Sequence, residues 1–474
     1  MTRRDLLFRA TAGFAALPLV DLLSRDGFFH AHAGSEKPAN LLAARPPHFS
    51  AKAKRCVFLF MNGAPSQVDT FDPKPQLDKF HGTAYRGPLA VGSNGRPVGY
   101  LMKSPFPFQK HGQSGLPISS LFPNLARHAD DLCVIRSMHT DTAAHASGCL
   151  QMNTGHILIG RPSLGSWLSY GLGTNNENLP AYVVMTDPRG GPISGASNWT
   201  AGYMPAAFQG TLFRSTGAPL LDLENPRGVT QQTQRAALGL LRDLNEEHRE
   251  MHPGEGDLAA RIHTYELAYH MQTAAAEAVD LDRESPQTRR MYGLDNKVTA
   301  DFGRKCLITR RLLERGVRYV QLYSGGGHIE DTWDGHNDCI TNHTLHAGET
   351  DQPIAALMAD LKRTGLWDET LLVWGGEFGR TPTSEGVDKP GRDHDWHGFS
   401  MWLAGAGVKG GQAIGATDEL GFAAVEDKFH VSDLHATILH LMGLDHTKLT
   451  YYYGGLNQRL TGVVSRRVIR QALA

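Results

Sequence analysis

The chain has 474 residues, 41% of them hydrophobic, and a formal net charge of −1. That length suffices for one large α/β domain or two smaller ones, and the near-neutral charge gives no sign of nucleic-acid binding. No 18-residue apolar run follows the N-terminus, so no internal transmembrane helix is predicted, and the five cysteines (56, 133, 149, 306 and 339) form no CxxC pair and no disulfide framework.

The chain opens Met1-Thr-Arg-Arg-Asp-Leu-Leu-Phe-Arg, a twin arginine ahead of a mildly apolar stretch from Ala10 to Leu23. This pattern matches a bacterial twin-arginine export signal, and Ala31-His-Ala33 offers an A-x-A cleavage site. Residues 1–33 are therefore read as an address. A periplasmic or extracellular location follows, with a single domain over 50–474.

Arg55-Cys-Val-Phe-Leu-Phe-Met61 reads as a buried first strand ending in Asn62-Gly63. Residues 75–118 are rich in Pro, Gly and Lys and read as a long irregular insertion. Asp131 to Arg136 is a second apolar strand, followed by a polar turn and an Ala-rich helix former. Thr142 falls near that helix N-terminus, where backbone N–H groups and the dipole favour an anion. From the chain alone it fits an ordinary cap better than an attacking hydroxyl.

Residues 156–255 read as a second set of loops, with one short strand at Ala181–Met185. Helices are predicted over 257–280 and 300–315. Val317 to Tyr323 is a further core strand, and Asp331, Asp334 and His336 crowd the loop beyond it. Carboxylate with imidazole is a ligand mix for zinc, manganese and similar divalent ions. Ile354, Leu357, Met358 and Leu361 mark one apolar helical face. It leads into Leu371-Leu-Val-Trp-Gly-Gly-Glu-Phe-Gly-Arg-Thr381, a strand whose exit turn presents Glu377 and Arg380. In parallel α/β sheets ligands bind beyond such strand ends. Gly391-Arg-Asp-His-Asp-Trp-His397 adds His394 and His397, while His430, His435, His440 and His446 read as structural or surface residues.

In this order, strand–Asn-Gly, strand–Thr-Asp-Thr-Ala-Ala, strand–Trp-Asp-Gly-His, strand–Gly-Gly-Glu-Phe-Gly-Arg-Thr-Pro and Gly-Arg-Asp-His resemble the DUF1501 family. That family of exported bacterial proteins is similar in fold to the alkaline phosphatase and sulfatase superfamily. The resemblance runs from about Cys56 to Leu460. It implies a three-layer α/β sandwich with a mostly parallel central sheet. It implies a metal-dependent hydrolase of phosphate or sulfate esters, acting on an ester that is free or part of a sulfated or phosphorylated polymer. In this resemblance Thr142 takes the nucleophile's place. Asp334, His336 and His394 hold one divalent ion (zinc, manganese or calcium), with Asp331 as a substitute ligand. Glu377, with Asn62, serves a second ion, and Arg380 and Arg392 grip substrate oxygens. Asn62 and Phe378 stand where the superfamily carries an aspartate and a histidine, which weakens the second site. Cys149 is followed by Leu-Gln-Met, so the formylglycine signature is absent. A binding or assembly protein on a degenerate hydrolase scaffold is the alternative.

Overall fold

The computed structural model describes residues 41–89, 92, 95, 97–214, 220, 228–251, 256–384 and 388–474. The export signal read over 1–33 lies outside them. The strands and helices named here all belong to the unit Leu42–Ala474.

Among the described residues nine strands form the main sheet. They are β1 (Arg55–Met61), β2 (Cys133–His139), β3 (Tyr182–Met185), β4 (Thr211–Phe213), β5 (Tyr319–Ser324), β6 (Thr370–Gly375), β7 (Phe399–Gly405), β8 (Gln412–Ile414) and β9 (Phe429–His430). In space the order is β8-β2-β7-β6-β1-β5-β3-β4, and β9 adds to β2. Only β7 runs against its neighbours, antiparallel to both β2 and β6. β1 sits between β5 and β6 in parallel register, with Val57 opposite Val320 on one side and Leu372 on the other. Residues 56–61 are all buried, as a strand covered on both faces requires.

The covering helices are α1 (His145–Thr154), α2 (Leu164–Leu172), α3 (Gln231–Met251), α4 (Gly256–Val279), α5 (Ala300–Glu314), α6 (Cys339–Arg363) and α7 (Val431–Leu441). Strand alternation decides which face each one meets. Val57, Leu59, Met61, Val320 and Leu322 point into one core with Leu307, Leu312, Ile354, Leu357 and Leu361 of α5 and α6. On the opposite face Gln321 donates to Asn153 Oδ1 of α1 (2.6 Å) and accepts from Tyr182, whose ring lies against Gly165 of α2. α7 joins that face through His435 Nε2 and the Met152 carbonyl (2.7 Å). The molecule is thus a three-layer α/β sandwich with a mostly parallel sheet.

The helical face predicted from Ile354, Leu357, Met358 and Leu361 is fully buried. Gly365, at φ +73, takes the left-handed position just past the helix end. The stretch 156–255 departs from its reading as loops. It contains α2, α3 and the strand β4 as well as β3. Gly-Arg-Pro and the Asn/Ser clusters punctuate it so heavily that the helical spacing of Leu164, Trp167, Leu168 and Leu172 is easily overlooked. Ser163 starts α2 by accepting the Ser166 N–H (3.3 Å). The 75–118 insertion likewise holds a short helix, Pro75–Phe80, and a hairpin pairing Phe108–His111 with Leu116–Ser119. All five cysteines are buried and free. Among the described residues no helix is long and apolar enough to cross a membrane.

Candidate metal centre

Because β1, β2, β5 and β6 point the same way, their exit loops meet at one edge of the sheet. β1 exits through Asn62-Gly63-Ala64, with φ of +105 at Gly63 and +66 at Ala64. A Cβ on Gly63 would lie 2.6 Å from the Asp334 and Trp333 nitrogens, so only glycine lets the two loops approach. Asn62 staples the strand ends: its N–H donates to the Ser324 carbonyl (3.0 Å) and its carbonyl accepts the Trp333 N–H (2.9 Å). Its carboxamide is spent on the Gly325 carbonyl and Cys149.

Asp334 is the focus of the edge. Its Oδ1 lies 2.6 Å from Arg380 Nη1, 3.3 Å from His336 Nε2 and 3.5 Å from His394 Nε2. Its Oδ2 lies 3.2 Å from His145 Nε2. Two further carboxylates are near: Glu377 on the far side of His145 (2.6 Å from Nδ1), and Asp393, 3.9 Å from His336 Nδ1. His145, Asp334 and His394 form one group able to share an ion, and His336, Asp393 and His394 form another.

The tautomers follow from the outer partners. His394 Nδ1 sits 2.7 Å from the Ala143 carbonyl, which accepts but cannot donate, so that nitrogen carries the hydrogen and Nε2 keeps its lone pair. His145 Nδ1–H donates to Glu377, which also accepts the Gly63 N–H (2.9 Å). His145 Nε2 is buried and faces Asp334 Oδ2 at 3.2 Å. His336 and His394 bring their Nε2 atoms within 2.8 Å of each other. Three imidazole nitrogens and a carboxylate therefore converge, with His145 and His394 oriented from behind, which is how metal-ligating histidines are commonly held. The charges agree. Asp334, Glu377 and Asp393 against Arg380 leave a formal charge of minus two, and a divalent ion matches it. The residues fit a divalent ion.

Electrostatics treats the histidines differently. Burial alone would raise the Asp334 carboxyl, but the Arg380 guanidinium, with His145 and His394, outweighs it and holds the group far below the usual carboxylate range. Burial would lower His145, but its bonds to Asp334 and Glu377 prevail and raise it. Burial lowers His336 and His394, and Arg380 adds to that effect on both. These shifts favour the neutral form of both, the form that can ligate, whereas His145 is pushed toward its charged form.

The structure distributes the residues singled out by sequence as follows. Asp334, His336 and His394 come together. Asp331 belongs to neither ion-sized group among the described residues. Glu377 reaches the centre only through His145, and Asn62 lies beneath it. Arg380 and Arg392 are fully buried. Arg380 is tied to the Gly63, Ala64 and Arg392 carbonyls. Arg392 pairs with Asp69 (2.6 and 3.0 Å) and donates to the Met102 and Lys103 carbonyls. Neither guanidinium is open to a substrate oxygen. Thr142 sits two residues before Ala144, the N-cap of α1, and accepts its N–H (3.1 Å). His397 turns away to Asp395 (3.1 Å).

Sequence reasoning passed over His145 and Asp393. Both lay inside motifs already in view, Thr-Asp-Thr-Ala-Ala-His and Gly-Arg-Asp-His, where their polar side chains were the available signal. Phe378, standing where a histidine was expected, packs 4.8 Å from the His145 ring and 4.9 Å from the His394 ring, walling the centre with apolar surface.

Two outcomes follow. Asp69→Asn leaves Arg392 buried without its counter-charge and should cost about 3–5 kcal/mol in urea unfolding at pH 7. Burial would raise Asp69, but Arg392 holds it low. Its contribution is therefore present above the unfolded value of about 4 and fades as pH falls through the lower folded value, so the gap between the two proteins should close in acid. Glu377→Gln should weaken divalent-ion affinity about 10- to 100-fold in a chelator competition, the usual effect of losing an outer carboxylate. Unchanged affinity would remove Glu377 from the centre.

No curated protein matches the chain. Among solved structures it is similar to the lipoteichoic acid synthase LtaP from Listeria monocytogenes, at 12% identity and a TM-score of 0.38, covering 89% of this chain and 79% of that one. It is similar also to alkaline phosphatase from the Antarctic bacterium TAB5, at 10% identity and a TM-score of 0.36 over 84% and 99% of the two chains. A third is the PsFucS1 sulfatase from Pseudoalteromonas sp., at 12% identity and a TM-score of 0.35 over 89% and 76%. The family described as "Protein of unknown function (DUF1501)" matches residues 53–473, and the chain belongs to that family.

Proposed function

We propose that the chain is an exported, divalent-metal-dependent hydrolase of phosphate or sulfate esters. The observation that carries this reading is the convergence of His145, His336 and His394 Nε2 atoms on Asp334 at the exit edge of the parallel sheet. These four residues would hold the ion, which supplies Lewis acidity toward an ester oxygen when bound. Zinc suits the imidazole-rich set, and manganese is also compatible.

Thr142 is the proposed nucleophile. Its neighbour Ala143 holds His394, so hydroxyl and metal centre share one loop. Its oxygen accepts from the Ala144 N–H, which leaves the hydroxyl hydrogen to be given up. With Arg380 and Arg392 committed to the protein, the backbone N–H groups opening α1 are the remaining donors for a transferring oxyanion. Arg380 serves instead to hold Asp334 in place and to offset its charge.

One observation favours the second reading, a binding scaffold without turnover. Arg380 already places a fixed cation 2.6 Å from Asp334. Metal analysis of protein from the native host separates the two. A hydrolase should carry one zinc or manganese per chain, lost in the His336→Ala/His394→Ala double variant. Thr142→Ala should retain the metal and lose on the order of 10⁴-fold in ester turnover. Metal-free protein after careful loading, or full activity in Thr142→Ala, would sink the respective claim. Export is supported by Arg3-Arg4. Replacing both by lysine should strand the precursor in the cytoplasm, and undiminished export on cell fractionation would refute that part.

A further inference from the structure

A cleft of about 460 Å³ is lined in part by Ile340 and Pro390, four positions from His336 and His394 respectively. That volume is within the range of small-molecule pockets. Its apolar lining comes from Tyr100, Leu101, Met102, Pro105, Ile340 and Pro390, with His81, Lys103 and Ser384 as polar members. Tyr100 and Ile340 remain partly exposed, so the cleft opens to solvent.

The cleft is bolted to the centre by a short set of bonds. Pro390 stands just before Gly391-Arg392-Asp393-His394. Its carbonyl accepts the Cys339 N–H (3.0 Å), and the Arg392 N–H donates to Gly335 (2.9 Å), so the loop before Ile340 and the loop before His394 lie flat on each other. A Cβ on Gly391 would collide with the His336 carbonyl, so this packing demands glycine. The Arg392 guanidinium then grips the Met102 and Lys103 carbonyls, fixing the opposite wall. One buried arginine thus holds the cleft floor and sits two residues from a ligand histidine. The centre is open on the same loop: His336, one of the four residues proposed to hold the ion, is 38% exposed and lies four positions before Ile340.

We infer that this cleft receives the apolar, aromatic-sized alcohol portion of the ester substrate, with the Lys103 ammonium at its rim. The inference rests on the hydrolase reading for the word ester, but the cleft's affinity for such a group does not. Leu101, Met102, Pro105, Ile340 and Pro390 make most of the lining apolar, which favours a hydrophobic alcohol.

The test uses 1-naphthol as the probe, with the mature, metal-loaded protein. Its fluorescence should titrate saturably, and Ile340→Trp, which fills the cleft from a partly exposed helix position, should weaken binding at least about tenfold. Tyr100→Ala, which removes a wall, should weaken it in the same direction. Turnover of 1-naphthyl phosphate should show a KM raised by a similar factor in Ile340→Trp, while kcat/KM for methyl phosphate changes less than about twofold. Absence of saturable naphthol binding, or equal binding in both variants and the parent, would overturn the cleft assignment even if esters are cleaved. Naphthol binding that is lost in the variants, together with no turnover of any ester, would uphold the cleft and remove the hydrolase reading instead.

Discussion

The organising constraint is a buried carboxylate, Asp334, that cannot be left alone. An isolated charge away from water is costly, and it persists only when paired and hydrogen-bonded. Arg380 answers it on one oxygen and His145 on the other, and each partner is in turn held from behind. Arg380 leans on the carbonyls of the β1 exit loop, and His145 leans on Glu377, which is bound to Gly63 of the same loop. The exits of β1, β5 and β6 and the start of α1 are therefore cross-linked through one charge. The same set of groups leaves a formal deficit that a divalent cation would fill. Structural and chemical demands meet in the same atoms.

A second buried pair, Asp69 with Arg392, does the corresponding work one layer out. It is wholly enclosed, and its guanidinium joins the Met102–Lys103 segment to the loop that carries Asp393 and His394. Arginine suits this place because its planar fork satisfies a carboxylate and backbone carbonyls together, which a lysine could not. The candidate metal centre and the cleft wall at Met102–Lys103 are consequently joined through one buried guanidinium. Arg380 and Arg392, which look like substrate grips when read as exposed loop residues, are framework.

The secondary structure was largely legible in the sequence because the physical signals are local. The apolar runs at 55–61, 131–136, 317–323 and 370–375 announce buried parallel strands. The i, i+3, i+4, i+7 spacing at 354–361 announces a helix face. Legibility failed over 156–255, where helices are short or flanked by turn residues and local punctuation masks periodicity. At the site, Asp334, His336 and His394 stood out because charged and imidazole side chains cluster beyond strand ends. His145 did not, because on the chain it is one residue of a polar turn.

What the sequence by itself determined is most of the strands and helices, an α/β class, and the strand ends where polar chemistry gathers; the three-layer sandwich came from the family resemblance. The first three depend on residue type and spacing within a few positions. What only the tertiary structure decided is which polar residues face one another. Gly63 and Glu377 are 314 positions apart yet hydrogen-bonded. Glu377 became the support of His145, and the two arginines became internal counter-charges. Such pairings depend on which strands are neighbours and on the close backbone approach at glycines, and neither is encoded in local spacing.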